Sequence, residues 1–397
     1  LSPPYDVINP AARAALLAGS AENIVRLILP QGPDGQPDYL AARARLADQL
    51  ARGVLRVDHA PALYVYELAT ESGDLTRGLL GALELRPPED GVIFPHEDVM
   101  AGPVADRLAL MEATEANLEP IYLMYTGGGA ASMVVAEATQ GPALCSATTA
   151  DGIRHRLWAV SDPVALAGVA ADLASRTAVI VDGHHRYATY LELQARRRAS
   201  HGPGPWDRGL TMLVDATMFG PRVEAIHRVV PGLPLAAALE RCAAFPAAPL
   251  AGDDLASGVA GAAERVLGAA GAGFAAILTD GVAAVLLGAP QDWLLDEVLG
   301  APPRGPVESL DTTIVHRVLV QRCWGRADTA DSLLYAHDAQ EAIDMARGSG
   351  GVALLLRPAP VQSVLDVAQA GLRMPRKSTL FVPKPASGIV LRRFADG

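Results

Sequence analysis

The stretch Ala178-Val-Ile-Val-Asp182-Gly183-His184-His185-Arg186 places an acid, two imidazoles and a guanidinium directly behind an apolar run. The pattern predicts a buried strand, a turn at Gly183 and a helix beginning at His184. Glycine suits such a turn because it adopts left-handed backbone conformations readily. Helix-start amides and their dipole attract anions, and Arg186 adds a bidentate fork for the same ligand. His184 and His185 titrate near neutrality. Asp182, at the strand end, can hold Mg²⁺ or take a proton from a hydroxyl. The bland alternative is a capped helix with two solvated histidines.

Three other stretches could contribute. His96 and Glu97 follow the apolar "GVIF", and Asp106-Arg107 opens a helical pattern. A lone His-Glu in a loop often only shapes a turn, and an Asp-Arg pair early in a helix often contributes little. "RMPRKSTLFVPKPASG" carries Arg373, Lys377 and Lys384 with Ser378 and Thr379, a candidate anion clamp without P-loop spacing. His227-Arg228 stands in the apolar "AIHRVV". No G-x-G-x-x-G in strand-to-helix context, G-x-S-x-G elbow or H-E-x-x-H is present.

The elements that must position these groups read as an alternation of strands and helices. Pro3 and Pro4 extend the chain, and Asn9-Pro10 starts a helix. "NIVRLILP" reads as a strand, and 38–55 as an amphipathic helix closed by Gly53. "ALYVYELAT" and "TRGLLGALEL", split by "ESGD", form a hairpin; 103–120 is a helix, "IYLMYTG" and "LTMLVDA" are strands. An alanine- and glycine-rich stretch from about 233 follows, then a helix at "SLDTTIVHRVLVQRC". A strand, acidic cap, helix and strand occupy 332–358, and "KSTLFVPKPASGIVLRRF" reads as a closing hairpin. The expected fold is mixed α/β. A main domain spans 1–232, a second α/β subdomain 233–345, and 346–397 returns a basic hairpin to the site.

The 397 residues are 50% hydrophobic, enough for a sizeable core. With 33 Lys+Arg against 44 Asp+Glu, the net charge of −11 lacks the basic footprint of a nucleic-acid binder, and no basic amphipathic stretch points to a membrane. Cys145, Cys242 and Cys323 are far apart and read as reduced thiols of a cytoplasmic protein. Beginning at Leu1, the chain is expected to lack a short first strand.

Taken in order, "PPYDVI", "PHEDV…DRLALMEA…PIYLMY", "DGHHRYATYL", "HRVV" and "RMPRKSTLFVPKPASGIV" resemble a widespread bacterial and archaeal family of unknown function over nearly the whole chain. That family shows threonine before the His-Arg pair, where this chain has Ala225-Ile226. The Asp-Gly-His-His-Arg turn is similar to the phosphate-binding turn of the ParB/sulfiredoxin superfamily. That group includes free-serine kinases, ATP-using sulfiredoxins and CTP-binding ParB proteins. The resemblance implies a ParB/sulfiredoxin-like nucleotide-binding core, with phosphate on the amides after Gly183 and Arg186 as its charge partner. Asp182 and His185 would lie at the reacting phosphate, with His184 beside them and Glu97 as base. Arg107, Arg373, Lys377, Ser378 and Lys384 would bind the nucleotide; Tyr5, Asp6, His96, His227 and Arg228 would bind substrate. The expected activity is a kinase moving a phosphoryl group from ATP, ADP or another nucleotide, with Mg²⁺, to a serine-like hydroxyl. A phosphomonoester hydrolase and a non-catalytic CTP/ATP-binding regulator remain open, as does a homodimer.

Overall fold

A computed structural model describes residues 1–255, 257–271, 273–329 and 331–396. The chain forms two compact units, Leu1–Arg222 with Pro383–Gly397, and Val223–Val382. This differs from the expected division at 232 and 345. The reason lies in strand pairing: His227–Val230 bonds to both Leu334–Ala336 and Val352–Leu356, so its segment cannot leave the second unit.

The first unit is built on an eight-stranded mixed sheet. Its order is Ile93–Pro95, Ala178–Asp182, Ile121–Tyr125, Arg208–Asp215, Leu75–Glu84, Leu63–Ala69, Arg154–Val160, Cys145–Thr148. The expected hairpin at "ESGD" forms, with Gly73 at φ 95° in its turn. Ala178–Asp182 runs parallel to Ile93–Pro95 and antiparallel to Ile121–Tyr125. The end of the first, which carries Asp182, therefore meets the start of the last. Ile121, Leu123 and Tyr125 pack with Leu108 and Met111 of the Ala101–Thr114 helix and Tyr187, Tyr190 and Leu193 of the His184–His201 helix. Period 2 on the strand and period 3–4 on the helices supply these contacts.

Two local expectations are corrected. "NIVRLILP" is not a strand: Val25–Ile28 is a short helix, opened where the Asn23 side chain accepts from the Val25 amide at 2.9 Å. Its Ile24, Leu27 and Ile28, at helical spacing, pack with Ala42 and Leu46. The closing hairpin also does not form. Leu380–Val382 lies in the second unit, while Arg392–Arg393 lies in the first and pairs with Ala116–Asn117.

The second unit holds a six-stranded antiparallel sheet, ordered Ala247–Pro249, Ala284–Leu287, Ala276–Thr279, Val352–Leu356, His227–Val230, Leu334–Ala336. Val352, Leu354 and Leu356 pack towards the helical 311–323 segment, and Ala353 and Leu355 towards the Ala339–Ser349 helix. Both faces are covered, which explains an uninterrupted apolar run in that strand. Asp338 caps the helix as expected, accepting from the amides of Gln340 and Glu341. Among the described residues no helix is long and apolar enough to cross a membrane.

Candidate functional site

The site begins at Asp182, the last residue of a buried strand, and Gly183, which turns the chain into an 18-residue helix. Gly183 has φ 90°, and a Cβ there would stand 3.0 Å from Arg186 Nε. Glycine is required twice: by backbone conformation and by the guanidinium folded back over the turn. The helix's first internal bond runs from the Tyr187 amide to the Gly183 carbonyl. The amides of residues 184–186 thus precede the hydrogen-bonded ladder, as at any helix start.

Asp182 is held between two cations. Arg186 Nη2 contacts one carboxylate oxygen at 2.5 Å, and Lys384 Nζ hydrogen-bonds the other, from 202 residues away in sequence. Burial alone would raise the Asp182 pKa, but Lys384 and Arg186 outweigh it and hold the carboxyl below its usual range. One carboxylate against two cations leaves the trio with one positive charge, at the positive end of a helix dipole. Arg186 is buried; Nη1 donates to the Pro120 carbonyl at 2.6 Å, while Nε finds no acceptor among the described residues.

Both histidines of the turn bond the backbone of the 96–100 loop. His185 Nε2 accepts from the Met100 amide at 3.0 Å, and His184 Nε2 from the His96 amide at 3.3 Å. Both rings tie the 96–100 loop to the helix start. His184 then carries its proton on Nδ1, which faces Glu97 Oε2 at 4.0 Å. His96 stands edge-on to His184, ring centroids 4.5 Å apart, and donates from Nδ1 to the Ile180 carbonyl. Burial lowers the His185 pKa, so the ring is neutral at pH 7.

Arg107 is near but turned inward. It is buried, donates to the Ile28 carbonyl at 2.6 Å and to Asp106, and lies 4.2 Å from the Tyr5 ring centroid. Asp6, on the short Tyr5–Val7 helix, acts electrostatically on His185, Arg186 and Lys384. Sequence reading missed Glu119. It is buried 3.8 Å from Arg107, and its backbone carbonyl accepts from Tyr190. Glu119, Arg107, Arg186 and Tyr190 border a cavity of about 20 Å³. The available signal was an acid followed by proline immediately ahead of the fully buried strand "IYLMY".

Arg373, Lys377 and Ser378 belong to the second unit. Lys377 is exposed at φ 54°, and Ser378 Oγ donates to the Pro375 carbonyl at 2.6 Å, closing a turn. The substrate role expected of His227 and Arg228 is corrected: both are buried. His227 Nδ1 accepts from the Leu356 amide at 3.1 Å. Arg228 Nε donates to His316 and Nη2 to the Lys377 carbonyl.

Chemically, a helix start that carries Arg186 and a partly exposed Lys384 around one carboxylate, with Asp6 acting on both cations, has donors suited to an anion. Among the described residues no group of three or more His, Cys, Asp or Glu could hold a metal ion. The expected Asp182 metal ligand instead has a cation on each oxygen, so a Mg²⁺ here would have to arrive with phosphates and keep several waters.

Several solved structures align with most of the chain at low identity. A free serine kinase in complex with AMP is 17% identical, covering 79% of this chain and 90% of its own, with TM-score 0.35. A conserved hypothetical protein from Pyrococcus furiosus is 15% identical, with coverages of 78% and 94% and TM-score 0.34. SbnI from Staphylococcus aureus, truncated at its C-terminus, is 11% identical, with coverages of 78% and 84% and TM-score 0.37. No curated protein matches the chain in sequence. Residues 1–313 match the family described as "Protein of unknown function (DUF1015)". The expected membership in a family of unknown function therefore holds, and the chain belongs to the DUF1015 family.

Proposed function

We propose that the chain is a phosphotransferase that moves a phosphoryl group from a nucleotide to the hydroxyl of a small metabolite. The observation that carries this reading is the arrival of Lys384 at Asp182 and Arg186, on the N-terminus of a long helix. Phosphoryl transfer depends chiefly on in-line positioning and neutralised charge. Lys384 and the helix amides bind and orient the nucleotide's phosphates. Asp182 fixes the two cations. Its depressed pKa makes it a poor base, so the half-exposed Glu97 on the 96–100 loop takes the hydroxyl proton. The bond from phosphorus to the bridging oxygen of the leaving nucleotide, shorter by one phosphoryl group, breaks as the bond to the acceptor oxygen forms. Mg²⁺ carried by the nucleotide would supply further charge neutralisation. A serine-like acceptor follows from the resemblance of the Asp-Gly-His-His-Arg turn.

The test is thermal stabilisation by ATP, ADP and CTP with Mg²⁺, followed by detection of phosphorylated acceptor. A nucleotide at ~100 times its dissociation constant should stabilise the protein by about 2.7 kcal/mol. Lys384→Ala should remove most of that gain. No shift with any nucleotide would overturn the reading, and phosphate release from phosphoserine without transfer would turn it into a hydrolase.

A further inference from the structure

Glu119 is 4% exposed, yet a buried carboxylate is costly unless several donors reach it. Its donors come from opposite ends of the chain. Oε1 accepts from the Tyr5 amide at 3.0 Å and from Ser387 Oγ at 2.9 Å. These same segments bridge each other: the Ser2 amide donates to the Ser387 carbonyl at 3.2 Å, and the Ser387 amide to the Ser2 carbonyl at 2.8 Å. Lys384 lies three residues before Ser387, and Asp6 directly after Tyr5. Glu119 itself is fixed at the sheet end, where the Tyr190 hydroxyl donates to its carbonyl at 2.8 Å and Arg186 to Pro120. Burial raises its carboxyl pKa above the usual range, and Arg186 and Arg107 offset that only in part.

We infer that Glu119 is a positioning residue for Lys384. It fastens the terminal segments that carry Asp6 and Lys384 to the start of the buried strand, so that Lys384 reaches Asp182. A carboxylate suits this task because it only accepts, and one oxygen serves a donor from each segment. Glutamine keeps an accepting oxygen; alanine keeps none. The consequence for phosphate binding rests on the phosphotransfer reading, whereas the fastening itself does not.

The experiment compares the parent with Glu119→Ala, Glu119→Gln, Lys384→Ala and the double variant Glu119→Ala/Lys384→Ala. Hydrogen exchange of the Tyr5 and Ser387 amides should quicken by roughly tenfold or more in Glu119→Ala, as a locally opened segment does. Exchange in Ile121–Tyr125 should stay at the parental rate, and Glu119→Gln should keep most of the protection. Acetylation of Lys384, followed by mass spectrometry, should quicken in Glu119→Ala for the same reason. Losses in kcat/KM with ATP should be non-additive: the double variant should be no worse than Lys384→Ala alone, because the two residues act as one unit. Should Glu119→Ala not fold, Ser387→Ala removes one donor and should give a smaller change of the same kind. Unchanged exchange and acetylation would overturn the inference, as would additive losses. A parent that turns over no nucleotide would sink the phosphotransfer reading alone, because exchange and acetylation still decide the fastening.

Discussion

Each unit buries an arginine, and the surroundings differ. Arg186 meets a carboxylate directly, shares it with the partly exposed Lys384, and sits at a helix start. Arg228 is fully buried, and its bonded partners are carbonyls and His316, which in turn faces Asp328 at 3.1 Å. Burial lowers the Arg228 pKa to about 10, and burial together with Arg228's charge lowers that of His316 to about 4. The first arrangement leaves positive charge where solvent and ligand can reach it. The second closes its charge inside a network that holds the 376–377 loop in place. A buried arginine is thus not by itself a sign of a ligand site; what sets Arg186 apart is that it shares one carboxylate with Lys384 at the start of a long helix.

The comparison breaks most sharply at Asp182. Asp182→Asn keeps the shape but removes the charge between Arg186 and Lys384. Turnover should fall by ~10²–10⁴-fold, within the range for loss of a positioned charged group at a reacting centre. Melting and single-turnover rate on that variant separate the cases. A protein that melts early but reacts at the parental rate would make the first arrangement as structural as the second.

Acid should separate the units next. His227 and His316 are both lowered to about 4, by burial first and then by Arg228. Their folded values lie below the unfolded value of about 6.5, so the unfolded chain binds more protons as pH falls. The stability they contribute is complete above pH ~6.5 and is lost progressively down to about 4. At about 1.4 kcal/mol per pKa unit, each contributes a few kcal/mol at most. Asp182 is depressed below its ordinary range and gives way only at lower pH. Hydrogen exchange at pH 7 and pH 5 should therefore show Val352–Leu356 losing protection before Ala178–Asp182. Equal loss in both strands would contradict the difference.

The smallest effect tests the turn. Gly183→Ala forces a side chain into a left-handed conformation and against Arg186 Nε. It should cost about 1–2 kcal/mol in melting and weaken nucleotide binding several-fold. A variant of parental stability and affinity would show that the turn has more room than its geometry implies.

Much of this site was legible as sequence because its signals are local. A strand that ends in Asp-Gly before a helical period puts an acid and a helix start together, whatever the rest of the fold does. Asn9-Pro10 and Asp338 mark helix starts for the same reason: the cap and the amides it binds are neighbours in the chain. The histidines show the limit of such signals, because residue type states what a ring can do, not which backbone amide will reach its Nε2. Tertiary structure decided the rest. Lys377 and Lys384 belong to one basic stretch, yet strand pairing and packing assign them to different units. Lys384 reaches Asp182 across 202 residues, and Glu119 collects donors from Tyr5 and Ser387. Periodicity and capping report only on neighbours within a few turns. Contacts between distant segments depend on which surfaces bury together, and that is settled when the sheet assembles.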